Sequence, residues 1–167
     1  MTTEPLSIAQ LNSMDRATFV ARFGGVYEDS PWVAEQAWTA RPFADRNALE
    51  RAMQEAVREA GQARQVELLR MHPSLGTRLK LSGYSRAEQV GAGLLEATAA
   101  ERAELERLNR DYEDKFGFPF IFAVRNASLR SILDSCRTRV NADATKEFDE
   151  SLRQVFRIAA FRLADHF

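Results

Sequence analysis

The usual residues of metal and thiol chemistry are scarce in this chain: its 167 residues hold one cysteine and two histidines, His72 and His166. A lone cysteine excludes an intrachain disulfide and a thiolate zinc site. Two histidines nearly exclude a multi-histidine metal centre, so no metal is expected. Glycine and proline are also few, 8 and 5 residues, which leaves little room for linkers, and no repeat of solenoid length is visible. No apolar run approaches the ~20 residues of a membrane helix. Met1 to Leu11 has neither the basic start nor the apolar run of a signal peptide. The terminal Asp165-His166-Phe167 is not a Ser-Lys-Leu type peroxisomal address, so the expected location is the cytoplasm, with no membrane partner. Charge of one sign is lacking as well. The chain carries 23 Lys+Arg against 24 Asp+Glu, and without a basic excess no nucleic-acid partner is expected.

What is present reads as helix after helix. An apolar fraction of 45% and a charged fraction of 28% are ordinary for a folded globule, and the length suits one domain, residues 1–167. Ser13 is the expected cap of a first helix through Phe19 and Phe23, stopped by Gly24-Gly25. Ser30-Pro31-Trp32 opens a second, with Ser at the N-cap and Pro at the first helical position, and Arg41-Pro42 ends it. Asp45 caps a third, through Leu49, Met53 and Val57 to about Gly61; a fourth carries Val66, Leu69 and Met71 up to Pro73. The stretch from His72 to Tyr84 reads as loop. Ser85-Arg86-Ala87-Glu88 and Thr98-Ala99-Ala100-Glu101 both match the Ser/Thr-x-x-Glu capping box and open a short and a long helix. Gly117-Phe118-Pro119 stops the long one. Ser128 starts another helix, and the last covers about Ala144 to Asp165. Only Phe120 to Val124 could be a strand. The expected fold is all-α, a compact single-domain bundle of about eight helices.

Residues that break the pattern carry the functional information. On the last helix Phe148, Leu152, Val155, Phe156, Ala159 and Leu163 share one face, and Arg162 falls at its edge. A guanidinium there either snorkels to water or finds a partner or lines a cavity. His72 is held at a helix end by Pro73. It reads as a surface or cap histidine or as an acid/base group titrating near neutrality. The capping box accounts for Glu88 and Ser85 structurally. Phe116-Gly117-Phe118-Pro119-Phe120-Ile121 reads as core-filling aromatics around a helix break, or as a buried loop whose backbone groups could meet a ligand. Cys136, beside Ile132 and Leu133, reads as core. Gly91-Ala92-Gly93 lacks the strand–turn–helix context of a phosphate loop.

Several segments together resemble one family, the 2-oxo-4-hydroxy-4-carboxy-5-ureidoimidazoline (OHCU) decarboxylases of uric acid breakdown. They are Glu28-Asp29-Ser30-Pro31-Trp32-Val33-Ala34-Glu35, Arg41-Pro42-Phe43, His72-Pro73-Ser74-Leu75-Gly76, Ser85-Arg86-Ala87-Glu88-Gln89, Leu108-Asn109 to Tyr112, Lys115-Phe116-Gly117-Phe118-Pro119-Phe120-Ile121, and Arg157-Ile158-Ala159 to Arg162-Leu163. The resemblance implies a cofactor-free, all-helical enzyme, usually a homodimer, that converts OHCU to (S)-allantoin. It makes His72 and Glu88 catalytic. It makes Pro73, Ser85, Gln89, Arg162 and the segment Phe118, Pro119, Phe120 and Ile121 substrate-binding, the segment partly through its backbone. The position after His-Pro is often acidic in the family and is Ser74 here, and a frequent lysine nearby is Arg78.

The implied substrate carries its carboxylate and a hydroxyl on one carbon, next to a ring C=N. Loss of CO2 can push electrons into that C=N, which removes the need for a cofactor sink. Orientation, proton transfer and stereochemical control remain for the protein. Two rivals stand beside this expectation: a helical interaction module with a pocket but no turnover, and a hydrolase or lyase acting on a related ureido compound.

Overall fold

A computed structural model describes residues 4–76, 83–91 and 93–167. Among these the regular elements are all helical: α1 (Ile8–Ser13), α2 (Arg16–Phe23), α3 (Trp32–Trp38), α4 (Arg46–Glu59), α5 (Gln62–Arg70), α6 (Gly83–Gly91), a 3₁₀ turn Leu94–Glu96, α7 (Ala99–Phe116), α8 (Leu129–Arg139) and α9 (Ala144–Ala164). The all-α expectation holds. Phe120 to Val124 forms no strand; it runs irregularly through buried surroundings. None of the described helices is long and apolar enough to cross a membrane.

Capping chemistry explains most boundaries. Asp45 accepts from the Ala48 N–H at 2.7 Å and starts α4, whose Leu49, Met53 and Val57 recur at helical spacing and are buried. Thr98 and Glu101 form the expected reciprocal capping box of α7, and Ser128 caps α8. Each such cap contributes about 1 kcal/mol. Three expectations fail for local reasons. Ser13 caps nothing: it ends the short α1, its hydroxyl donating to Gln10 O at 2.9 Å, and Asp15 caps α2 instead. Ser30 is not the cap of α3, where Pro31 takes that place; the Ser30 hydroxyl donates to Glu28 O at 2.8 Å. Ser85 is not the cap of α6, because that helix is already formed at Gly83.

The chain divides into two compact units, Met1–Leu68 with Ala159–Phe167, and Leu69–Ile158. In the first, α2 packs on α3 and α3 on α4. Its core packs the Phe19 ring tilted against Phe23 and stacked on Phe43, with ring centroids 4.9 and 6.2 Å apart. In the second, α7 packs on α8, and Tyr112 centres an aromatic cluster with Phe116, Phe118 and Phe120 at 4.6, 6.0 and 5.5 Å. Cys136 lies in this core with no exposure. Burial pushes its thiol up to about 12, so it stays protonated and unreactive.

Candidate active site

In the unit Leu69–Ile158, α5 ends at Arg70 and the chain turns, the His72 N–H donating to Leu69 O at 3.2 Å. Pro73 forbids the helix to continue. His72 is 6% exposed, so it is neither a surface nor a solvated cap histidine. Arg70 Nε donates to Gly117 O at 2.9 Å and ties the end of α5 to the turn after α7. The segment His72–Gly76 is then gripped by two helices. Asn109 Nδ2, on α7, donates to Leu75 O at 2.9 Å. The Gly76 N–H donates to Gln89 Oε1, on α6, at 3.0 Å.

Because Ser85 sits inside α6, a capping role no longer accounts for it. Ser85 and Gln89 are one turn apart on one face and both are buried, 5% and 3% exposed; Glu88, half-buried, borders that face. The Gln89 bond brings this face to the His72 segment. Arg78 lies outside the described residues.

Phe118, Pro119, Phe120 and Ile121 are all buried. The two phenylalanines fill the core, as one of the two sequence readings expects. The backbone beyond them is fastened by polar side chains that the sequence reading missed. Arg139 Nη1 donates to Ile121 O at 2.6 Å, and the Ala123 N–H donates to Gln154 Oε1 at 3.0 Å. Arg139 Nε also donates to Glu147 Oε1 at 2.6 Å, and Tyr112 Oη donates to the same oxygen at 2.5 Å. Burial, and then this bond to Glu147, hold the Tyr112 phenol well above its ordinary range. Arg139 and Glu147 are 8% and 2% exposed, so each charge depends on the other for solvation. The missed signal lies in α9. Glu147, Ser151, Gln154 and Arg162 recur at helical spacing and are all buried, whereas Phe148, Leu152 and Phe156 of the expected apolar face are only half-buried.

Arg162 belongs to the other unit. At 1% exposure it does not snorkel. Its Nη1 lies 2.9 Å from Glu28 Oε2 and donates to Val26 O at 3.3 Å. The chain from Val26 to Ser30 is a tight turn, with Asp29 in the left-handed region at φ 43°. It carries Glu28 inward to 3% exposure. In the sequence Glu28 stood only within the family-like block Glu28 to Glu35, with no role of its own. A cleft of about 500 Å³ in the same unit is lined by Arg16, Trp32, Glu35, Trp38 and Arg64 among others, and by none of the expected site residues. Among the described residues no group of three or more His, Cys, Asp or Glu is arranged to hold a metal ion.

A family model described as OHCU decarboxylase matches residues 12–164. The 2-oxo-4-hydroxy-4-carboxy-5-ureidoimidazoline decarboxylase of Halalkalicoccus jeotgali is 42% identical over 160 residues, which is 96% of this chain and 91% of that protein. The protein of the same name from Haloferax volcanii is 40% identical over 97% of this chain and 96% of its own length. Among solved structures, that of an (S)-allantoin synthase matches with a TM-score of 0.77 and 31% identity, covering 97% of this chain and 54% of the longer one.

Proposed function

The chain belongs to the OHCU decarboxylase family, and from that membership we propose that it decarboxylates OHCU to (S)-allantoin in uric acid degradation. The observation that supports this most at residue level is the buried His72 segment fastened to the α6 face of Ser85 and Gln89.

The proposed step breaks the bond between the carboxylate and the hydroxyl-bearing carbon. CO2 leaves, and the electron pair moves toward the neighbouring C=N, whose nitrogen accepts a proton. The hydroxyl then loses its proton to become the ring carbonyl, and a proton is added to one face of the ureido-bearing carbon. The substrate serves as its own electron sink, so the reading needs no cofactor. His72 is the proposed acid/base for these transfers. Glu88 orients it or takes the hydroxyl proton. Gln89 has committed its carbonyl oxygen to the Gly76 N–H, which leaves its NH2 to donate to a substrate carbonyl. Ser85 supplies a hydroxyl beside it, and Pro73 with Phe118, Pro119, Phe120 and Ile121 supplies walls. Arg162 is proposed to bind a substrate oxygen through its guanidinium, held in orientation by Glu28. A cytoplasmic homodimer belongs to the same proposal, and sedimentation of the purified protein tests the dimer.

The assay follows optically active allantoin by circular dichroism after OHCU is generated freshly from urate. The protein should raise the rate well above the spontaneous one, and a folded His72→Ala variant should lose about 10²–10⁴-fold in turnover. An unchanged spontaneous rate would make the chain a non-enzymatic module. Full activity of His72→Ala would remove His72 from the chemistry.

A further inference from the structure

The Leu75–Gly76 peptide group is held on both of its edges by side-chain amides. Its carbonyl accepts from Asn109 Nδ2 at 2.9 Å, and its N–H donates to Gln89 Oε1 at 3.0 Å. A backbone carbonyl can only accept, so the NH2 of Asn109 must face Leu75 and its own oxygen must face away. That Oδ1 is buried without a hydrogen-bond partner among the described residues, in a residue 7% exposed. Leaving such an acceptor unpaired carries a cost, and against it stands the bond to Leu75 O. What the asparagine secures in return is the orientation of one peptide plane. One turn earlier on α7, Leu105 closes on the same point: a Cβ on Gly76 would lie 2.9 Å from Leu105 Cδ2, and Gly76 has φ +74°. Three contacts from α6 and α7 therefore register the chain immediately after His72-Pro73. Only Pro73, Ser74 and Leu75 separate His72 from the clamped peptide, and Pro73 has its φ fixed by its ring, which leaves few torsions to absorb a shift of the clamp.

We propose that Asn109 is a positioning residue for His72, acting through the Leu75–Gly76 peptide with Gln89 as the opposing half of the clamp. The role in turnover rests on the decarboxylase reading; the clamp itself does not.

Two variants test it, Asn109→Ala, which removes the donor, and Asn109→Asp, which sets a carboxylate oxygen against Leu75 O until it is protonated. At neutral pH both should lose about 10²-fold in kcat while KM changes only about threefold, the signature of a displaced catalytic group rather than a lost substrate contact. As pH falls, the ratio of Asn109→Asp to wild-type kcat should rise, because the carboxylic acid can donate again, while that of Asn109→Ala should not. The two histidines give separable imidazole signals by NMR, assigned with His166→Gln. In both variants the His72 signals should move and those of His166 should not. Wild-type kcat in both variants with unmoved His72 signals would overturn the proposal, as would a loss equal in both at every pH. If the wild-type protein does not turn over OHCU, the decarboxylase reading fails, and the His72 signals alone decide whether the clamp acts on His72.

Discussion

At 1% and 3% exposure, Arg162 and Glu28 are charges removed almost entirely from water. Burial on that scale is tolerated only where opposite charge and hydrogen bonds replace hydration. The 2.9 Å contact between them is that replacement. The edge position of Arg162 on α9 was visible in the periodicity, but periodicity could not choose between a snorkelling and a buried guanidinium. The answer lies in a turn whose Val26 carbonyl is 136 positions away. Glu28→Gln keeps the shape and removes the charge. It should destabilise the protein by about 3–5 kcal/mol, the cost of breaking a buried pair from one side. Urea unfolding measures it, and a loss below about 1 kcal/mol would show that the carboxylate is not what holds Arg162.

Helix ends show the same division at the scale of elements. Thr98 with Glu101 caps α7 as its sequence pattern implies, whereas the identical pattern at Ser85 and Glu88 lies within α6. A capping box is a local signal, and it competes with helix propagation from upstream residues. Its failure at α6 leaves Ser85 and Gln89 as a buried polar face, which a surface cap would not explain. The segment His72–Gly76 depends on close approach as much as on hydrogen bonds. Gly76→Ala forces a side chain into the left-handed region and against Leu105 Cδ2. We expect a loss of roughly 1–2 kcal/mol from the backbone alone, with turnover falling further because the clamped peptide must shift. Unfolding midpoints and kcat measured on one preparation separate the two effects, and wild-type values for both would show that the loop tolerates a Cβ.

For the molecule as a whole, near-zero net charge and two histidines concentrate its titration near neutrality in very few groups. His166 packs edge-on against Phe23 with centroids 5.1 Å apart. Burial first, and the Arg22 charge second, hold its imidazole below the ordinary 6.5, with Asp165 opposing. The unfolded chain therefore binds more protons at His166 than the folded one between the lowered native value and 6.5. Its contribution to stability is complete above 6.5 and is lost as pH falls through the native value. His166→Phe should remove that dependence. The wild-type melting temperature should drop relative to the variant between about pH 7 and pH 5, and parallel curves would show that His166 titrates as it does unfolded. Sequence order alone determined the all-helical class, the caps at Asp45, Thr98 and Ser128, and the membership of the OHCU decarboxylase family. These rest on periodicity, short-range hydrogen bonds and motif order, which need no knowledge of distant contacts. Only the tertiary structure decided which carboxylate answers Arg162, that Arg139, Glu147 and Gln154 fasten the Phe118–Val124 region, and that Asn109 and Gln89 share one peptide group of the His72 loop. Buried polar partners are chosen by proximity in space, and the fold brings together residues that the order of the chain keeps apart.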